Sequence, residues 1–379
     1  MTTNGNNDGM SRRRFMQVNT AAGLTLVLSG SLGTVLQACG GSSDSSQTTS
    51  LTAKEISNAS GTITVLTFSF YEAPAFNSGP VTAKYAEISS GDEVIAKVRN
   101  SMGIDVTATG TNVVGQLLDI DALDPIDTGL IENYTEIDKD VREQPIFTRN
   151  GDVYAVPMTI TPGFTAWNSD EVDEPKTADG LLDSQYRDRV GLYDDSGTVI
   201  QFAQMLGFDI YNFTLEDLDS VKEYMDQLKP NVKTIFVFGD EVQLFARDDI
   251  SVAFQTFGSL LTSIQENNPA VSSNYLGSLS FVDAWSIPTG ATTAAGMNWI
   301  NNTLTVRSQK SLVKTAGTLP TVPGAIKPEE YPAGLSEPSL SALLKVAPPI
   351  PSAPVEGADE GLVTLDVLQK TWSDYKASF

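Results

Sequence analysis

From Thr62 to Tyr375, short β-branched or apolar runs alternate with amphipathic helical segments, and this alternation constrains the fold more than any other feature. Thr62-Ile63-Thr64-Val65-Leu66-Thr67-Phe68 predicts a buried first strand, and Ile104–Thr107 a second. Between them Asp92–Asn100 reads as a short helix with Val94, Ile95 and Val98 on one side. Further strands are expected at Val190–Tyr193, Thr234–Phe238 and Ile250–Gln255. Helices are expected at Thr198–Leu206, Leu215–Leu228, Glu241–Arg247, Ala294–Leu304 and Leu362–Tyr375. The best marked is Leu215–Leu228, with Leu218, Val221, Met225 and Leu228 on one stripe and Pro230 ending it. Tyr154–Pro157, Gly163–Asn168 and Asp283–Pro288 read as extended crossing segments, because Pro157 and Pro162 exclude helix around them. The proline-rich stretch Lys327–Pro354 reads as an irregular surface arm. Such alternation predicts α/β layers with mainly parallel sheets. Residues 62–379 are too long for one small domain, so two lobes are expected, and a hydrophobic content of 41% supports a sizeable core.

The N-terminus says where the chain works. Ser11-Arg12-Arg13-Arg14-Phe15-Met16-Gln17 matches the twin-arginine export pattern. A charge-free stretch from Val18 to Ala38 follows, and Leu36-Gln37-Ala38-Cys39-Gly40 resembles the lipobox of bacterial lipoproteins, cut before a Cys that takes the lipid. A membrane-spanning anchor or a buried helix is the alternative, but Asn19, Gly23, Gly30, Gly33 and Gln37 make this a poor span. Residues 1–38 therefore read as a signal peptide and 39–61 as a Ser/Thr-rich tether. Cys39 is the only cysteine, so no intramolecular disulfide can form. Acylated, it would hold the protein at the outer face of a membrane, in the periplasm or on the cell exterior, without any spanning helix.

Charge and the missing histidine narrow the chemistry. The formal charge is −23, and loss of Arg12, Arg13 and Arg14 against Asp8 with the signal leaves −25. That balance argues against nucleic acid and anionic lipid as partners, and weakly favours cationic ligands; an acidic surface also serves solubility or a saline habitat. With no histidine, the Ser-His-Asp and Cys-His systems and nearly all zinc, copper and haem sites are excluded. No nucleophile elbow, phosphate loop or dinucleotide fingerprint occurs. Asp119, Asp121, Asp124 and Asp127 fail the EF-hand spacing and are interrupted by Pro125, so they read as a solvated acidic helix start. No enzyme, cofactor or metal is expected, although a carboxylate-based exported enzyme or a surface lipoprotein without transport function stays open as an alternative.

Four short segments share an order with a known family. Phe68-Ser69-Phe70-Tyr71-Glu72-Ala73-Pro74 resembles its aromatic segment after the first strand. Tyr154–Pro157 with Phe164–Asn168 is similar to its "YAVPY…GIAYN" crossing, and Arg187–Asp195 to "YKGRIGLxDD". Phe281–Ala291 resembles the return strand "WxDxxAIPKGA". The chain thus resembles the spermidine/putrescine-binding proteins of ABC transporters, within the two-lobe solute-binding superfamily. The resemblance implies an α/β, two-lobe periplasmic-binding-protein-like fold of type II with a hinge of crossing strands. It implies one lobe of 62–163 plus 286–379 and another of 164–285. It further implies a monomer that captures a small cationic, polyamine-like solute between the lobes and delivers it to a membrane permease.

The same resemblance implies the site. Asp283 sits where the family's amine-binding Asp lies, Asp195 where a second acidic ligand lies, and Phe281 where a Trp covers the alkyl chain. Tyr71, Glu72 and Phe257 are further candidates. Departures are plain: Thr198 stands at a family carboxylate, Leu319 at a Tyr, and Asn112 near an expected aromatic. A linear diammonium ligand needs carboxylates at its ends and rings along its methylenes. Asp195 equally suits a cap for the helix beginning near Thr198, and Asp283 a hinge hydrogen bond, although an acid in an apolar run is costly without a partner.

Overall fold

The first β-branched run becomes an inner strand, β1 (Gly61–Phe68), with Ile63, Val65 and Leu66 buried. Parallel neighbours flank it: β2 (Val81–Ile88) on one side and β3 (Val106–Gly110) on the other. The computed structural model describes residues 51–88, 91–100, 103–327, 330–331, 335, 339–354 and 360–379. The twin-arginine segment, Cys39 and the tether up to residue 50 lie outside the described residues.

The chain then makes β4 (Ala155–Asn168), β5 (Val190–Tyr193), β6 (Val232–Phe236), β7 (Val252–Phe257), β8 (Val271–Asn274) and β9 (Ser280–Pro288). Their order across the sheet is β2-β1-β3-β9-β4-β7-β5-β6, with β8 paired to the far half of β4. The expectation of mainly parallel pairing holds only at the two ends, β2-β1-β3 and β7-β5-β6. The middle is antiparallel, because β4 and β9 run across both lobes in opposite directions.

Strand β4 changes partner part-way. Ala155–Pro162 pairs with β9, whereas Gly163–Trp167 pairs with β7. Pro162, which cannot donate to a ladder, sits next to the switch. The packing divides at the same place: Ile160 belongs to one core cluster and Phe164 to another, and Leu279, just before β9, and Val282, on it, likewise fall into different clusters. A third crossing follows at 347–350, held where Ser280 donates its amide to Pro348 O and Ile350 returns one to Ser280 O. The result is an α/β, two-lobe fold of the type II periplasmic-binding-protein kind, with a hinge of crossing strands.

Several helices match their spacing closely. Leu215–Leu228 forms as expected behind a Thr214/Asp217 capping box, and burial of Leu218, Val221, Met225 and Leu228 fixes its face. Three expectations are corrected. Residues 286–379 do not all pack with the first lobe. Ile350, Val363, Leu368, Trp372 and Tyr375 lie in the core of the second, where helix Leu365–Lys376 is pinned as Trp372 Nε1 and Lys376 Nζ both donate to Asp194 Oδ1 at 2.9 and 2.6 Å. The proline-rich arm contains a helix, Leu340–Val346, because the stretch from Ser339 to Val346 is free of proline and Ser339 caps it. The acidic run is no helix start: Asp119 ends helix Thr111–Asp119, Asp124 pairs with Ile287 in a short strand, and Asp127 caps a 3-10 turn.

Candidate functional site

Alternation along β9 puts Phe281 and Asp283 on one face, two residues apart, as the strand passes between the lobes. Asp283 is 8% exposed, and its Oδ2 accepts the Tyr71 hydroxyl at 2.5 Å. Tyr71 reaches it from the 3-10 turn Ser69–Tyr71, directly after β1. The ladder is irregular at this residue: Asp283 faces Thr159 and Ala284 faces Pro157, leaving Met158 as the extra residue of a bulge. Pro157 lacks the N–H that a regular ladder requires, and bulges re-aim side chains at such points. Opposite Asp283 on β3 stands Gly110, where a Cβ would lie 3.0 Å from Asp283 Oδ1 and 2.5 Å from Asn112 Oδ1. The missing side chain is what admits the carboxylate.

Burial pushes the Asp283 carboxyl up to about 6, and the Tyr71 hydrogen bond only partly opposes this. The Tyr71 phenol is pushed well above its ordinary value, first by burial and then by the charge of Asp283. At neutral pH the pair is therefore a carboxylate with a phenol donating to it. No cation of the described residues contributes to the charge balance of Asp283. A buried carboxylate with a phenol partner and no cation is a candidate binding group for one.

Aromatic rings flank it on both sides. Phe68 stacks on Phe70 with centroids 5.2 Å apart, and Phe70 meets the Tyr71 ring at 4.5 Å. On the other side Phe281 lies 5.9 Å from Phe257, which in turn touches Tyr193 at 5.7 Å and Phe238 at 5.5 Å. The fold thus brings together Asp283 and Phe281 of β9, Tyr71 of the turn after β1 and Phe257 of β7, three segments distant in sequence.

The remaining candidates are placed differently. Asp195 Oδ1 accepts the Gly197 amide at 2.7 Å in a tight turn just ahead of helix Gly197–Leu206, whose N-cap is Ser196, so the bond orders the entry to the helix without capping it. Thr198 is buried and donates its hydroxyl to Tyr193 O at 2.8 Å, so it turns into the backbone. The Glu72 carboxyl is raised by burial and then by Glu87, its neighbour on β2. Two residues stand out that no sequence motif marks. Thr161 Oγ1 is buried beside the Tyr71 phenol without full hydrogen-bond geometry to any partner. Glu241 is wholly buried, accepting the Gly239 amide at 2.8 Å and the Thr256 hydroxyl at 3.2 Å, and burial raises its carboxyl. Only its place just after a strand and a glycine could have hinted at it. Surface hollows beside Arg307, Lys310 and Lys314, and between Lys229 and Tyr375, do not include these groups.

Residues 75–335 match the model of the bacterial extracellular solute-binding proteins. The chain belongs to that family. No curated protein matches it. Among solved structures it is similar to the spermidine/putrescine substrate-binding protein PotD of Streptococcus pneumoniae, at 17% identity and a TM-score of 0.68 over 83% of this chain and 99% of that one. The TpPotD lipoprotein of Treponema pallidum is 18% identical, with a TM-score of 0.61 over 84% and 99%. The agropinic acid complex of AgtB from A. tumefaciens is 16% identical, with a TM-score of 0.57 over 83% and 98%. At these identities the likeness establishes the fold. The first of these is named for spermidine and putrescine and the last holds agropinic acid, so the solute of this chain is read from the residues of its own site.

Proposed function

We propose that this solute-binding protein captures a small organic cation between its lobes and hands it to an ABC transporter permease. The observation that carries the reading is Asp283: a nearly buried carboxylate, held by Tyr71, without a cation of its own and flanked by rings on both sides. An ammonium supplies the missing charge, and the rings supply cation–π attraction and apolar cover. The polyamine class implied by the sequence resemblance is one member of this set. Binding involves no bond making, so the protein is a carrier and not an enzyme in this reading. Export by the twin-arginine route, cleavage before Cys39 and acylation of its sulfur would tether it outside the membrane.

Calorimetric titration of the purified protein with putrescine, spermidine, basic amino acids and simple amines tests the proposal. Saturable 1:1 binding that is lost in Asp283→Asn supports it. A folded protein that binds no cation, or a variant that binds as well as the parent, refutes it. Mass spectrometry of the membrane fraction, compared with Cys39→Ser, tests the anchor: a diacylglyceryl adduct on Cys39 is expected.

A further inference from the structure

We infer that the ligand of this site carries one cationic head on an apolar body, with the head at Asp283 and Phe238 among the rings that cover the body. The inference rests on the cation reading above and narrows it. A diamine would need a second carboxylate at the far end of the site, to replace the water its other ammonium gives up. The acids on that side are engaged within the protein. Asp195 Oδ1 is closed into a turn by the Gly197 amide, and Glu241 has no exposed surface, with one oxygen taken by the Gly239 amide and the other by the Thr256 hydroxyl. Asp194 is held by Trp372 and Lys376, and Thr198 has no charge to offer. Asp240 is exposed beside Phe238, where a solvated carboxylate offsets little of an ammonium's lost hydration.

The apolar cover is more generous than the charge. Phe68, Phe70 and Tyr71 line one side of Asp283, and Phe281, Phe257 and Phe238 continue from the other. Phe238 is 54% exposed and its neighbour Val237 57%, in the turn that leaves β6 for helix Asp240–Ala246. Two adjacent exposed apolar side chains joined to a buried ring row are spent surface unless something covers them. Phe70, 43% exposed, belongs to the separate ring group beside Tyr71. A chain of methylenes or a ring running from Asp283 along Phe281 and Phe257 would cover Phe238.

Titration at about pH 8 with n-hexylamine and 1,6-diaminohexane separates the possibilities, since the two probes share a body and differ in one head. The monoamine is expected to bind at least about tenfold more tightly, and Phe238→Ala to weaken it about tenfold without shifting the thermal midpoint, with Phe238→Tyr restoring affinity. A diamine that binds equally well or better overturns the single-head inference and leaves the cation reading standing. Unchanged affinity in Phe238→Ala overturns the role of that ring. If the folded protein binds neither amine, the cation reading itself falls, and this inference with it.

Discussion

The Tyr71 hydroxyl donates to Asp283 Oδ2 at 2.5 Å across 212 residues of sequence, and this single bond ties the turn after β1 to the strand that returns between the lobes. It gives the buried carboxylate one donor and leaves its other oxygen beside Gly110. Its ionisation therefore reports on both stability and binding.

The first expectation concerns stability. Burial raises the folded carboxyl to about 6 from an ordinary value of 3.8, so the folded state holds this proton more tightly than the unfolded chain. The unliganded protein gains stability from this group as pH falls from about 6 to about 4, and loses it as pH rises, by up to roughly 1.4 kcal/mol per pH unit. Asp283→Asn removes that component and is more stable than the parent at pH 8. Urea midpoints of both proteins across this range check it; a parent-to-variant difference that stays constant with pH refutes it.

Cation binding runs the opposite way, because the ligand needs the charged carboxylate. Affinity should fall as pH drops below about 6. In Tyr71→Phe the rings stay, but the donor that lowers the Asp283 carboxyl is gone, so this acid limb moves to higher pH. Loss of a hydrogen bond to a charged group costs about 1.5–3 kcal/mol. Titrations at a series of pH values check the direction of the shift.

Gly110→Ala should damage the site from the opposite side. Its Cβ would stand 2.5 Å from Asn112 Oδ1 and 3.0 Å from Asp283 Oδ1, on a carboxylate whose other oxygen Tyr71 holds, so Asn112, the carboxylate or β3 must move. Overpacking of this kind costs about 1–3 kcal/mol, and weaker ligand binding should accompany it. Wild-type affinity in a folded Gly110→Ala would show that Asp283 Oδ1 has room to spare.

At the C-terminus, Trp372→Ala should cost about 3 kcal/mol or more by emptying a buried position in the second lobe's core. Asp194→Ala should cost less, since it removes only the acceptor of Trp372 Nε1 and Lys376 Nζ and leaves the ring packed. Chemical denaturation checks the order of the two effects.

Much of the fold is legible in local pattern. The β-branched run of β1 and the apolar stripe of Leu215–Leu228 each form where their spacing puts them, because strand and helix periodicity act over a few residues. Pro157 and Pro162 mark the crossing strand for the same reason. Helix Leu340–Val346 escapes notice because prolines dominate the composition around it, although the nine residues from Ser339 to Ala347 carry none. The site is legible only in part. Asp283 is visible as an acid in an apolar run, whereas Thr198 looks like a substituted ligand and turns out to bond its own backbone.

By itself the sequence determined the alternation of strands and helices, the crossing segments, and the shared face of Phe281 and Asp283, since all of these follow from periods of two and 3.6 residues. Tertiary structure alone decided that Tyr71 meets Asp283, that Gly110 makes room for it, that Phe238 joins the ring row, and that helix Leu365–Lys376 packs on the second lobe. Each of these depends on residues far apart in the chain. Such contacts form because burial and hydrogen bonding act across the folded volume, and no local pattern encodes them.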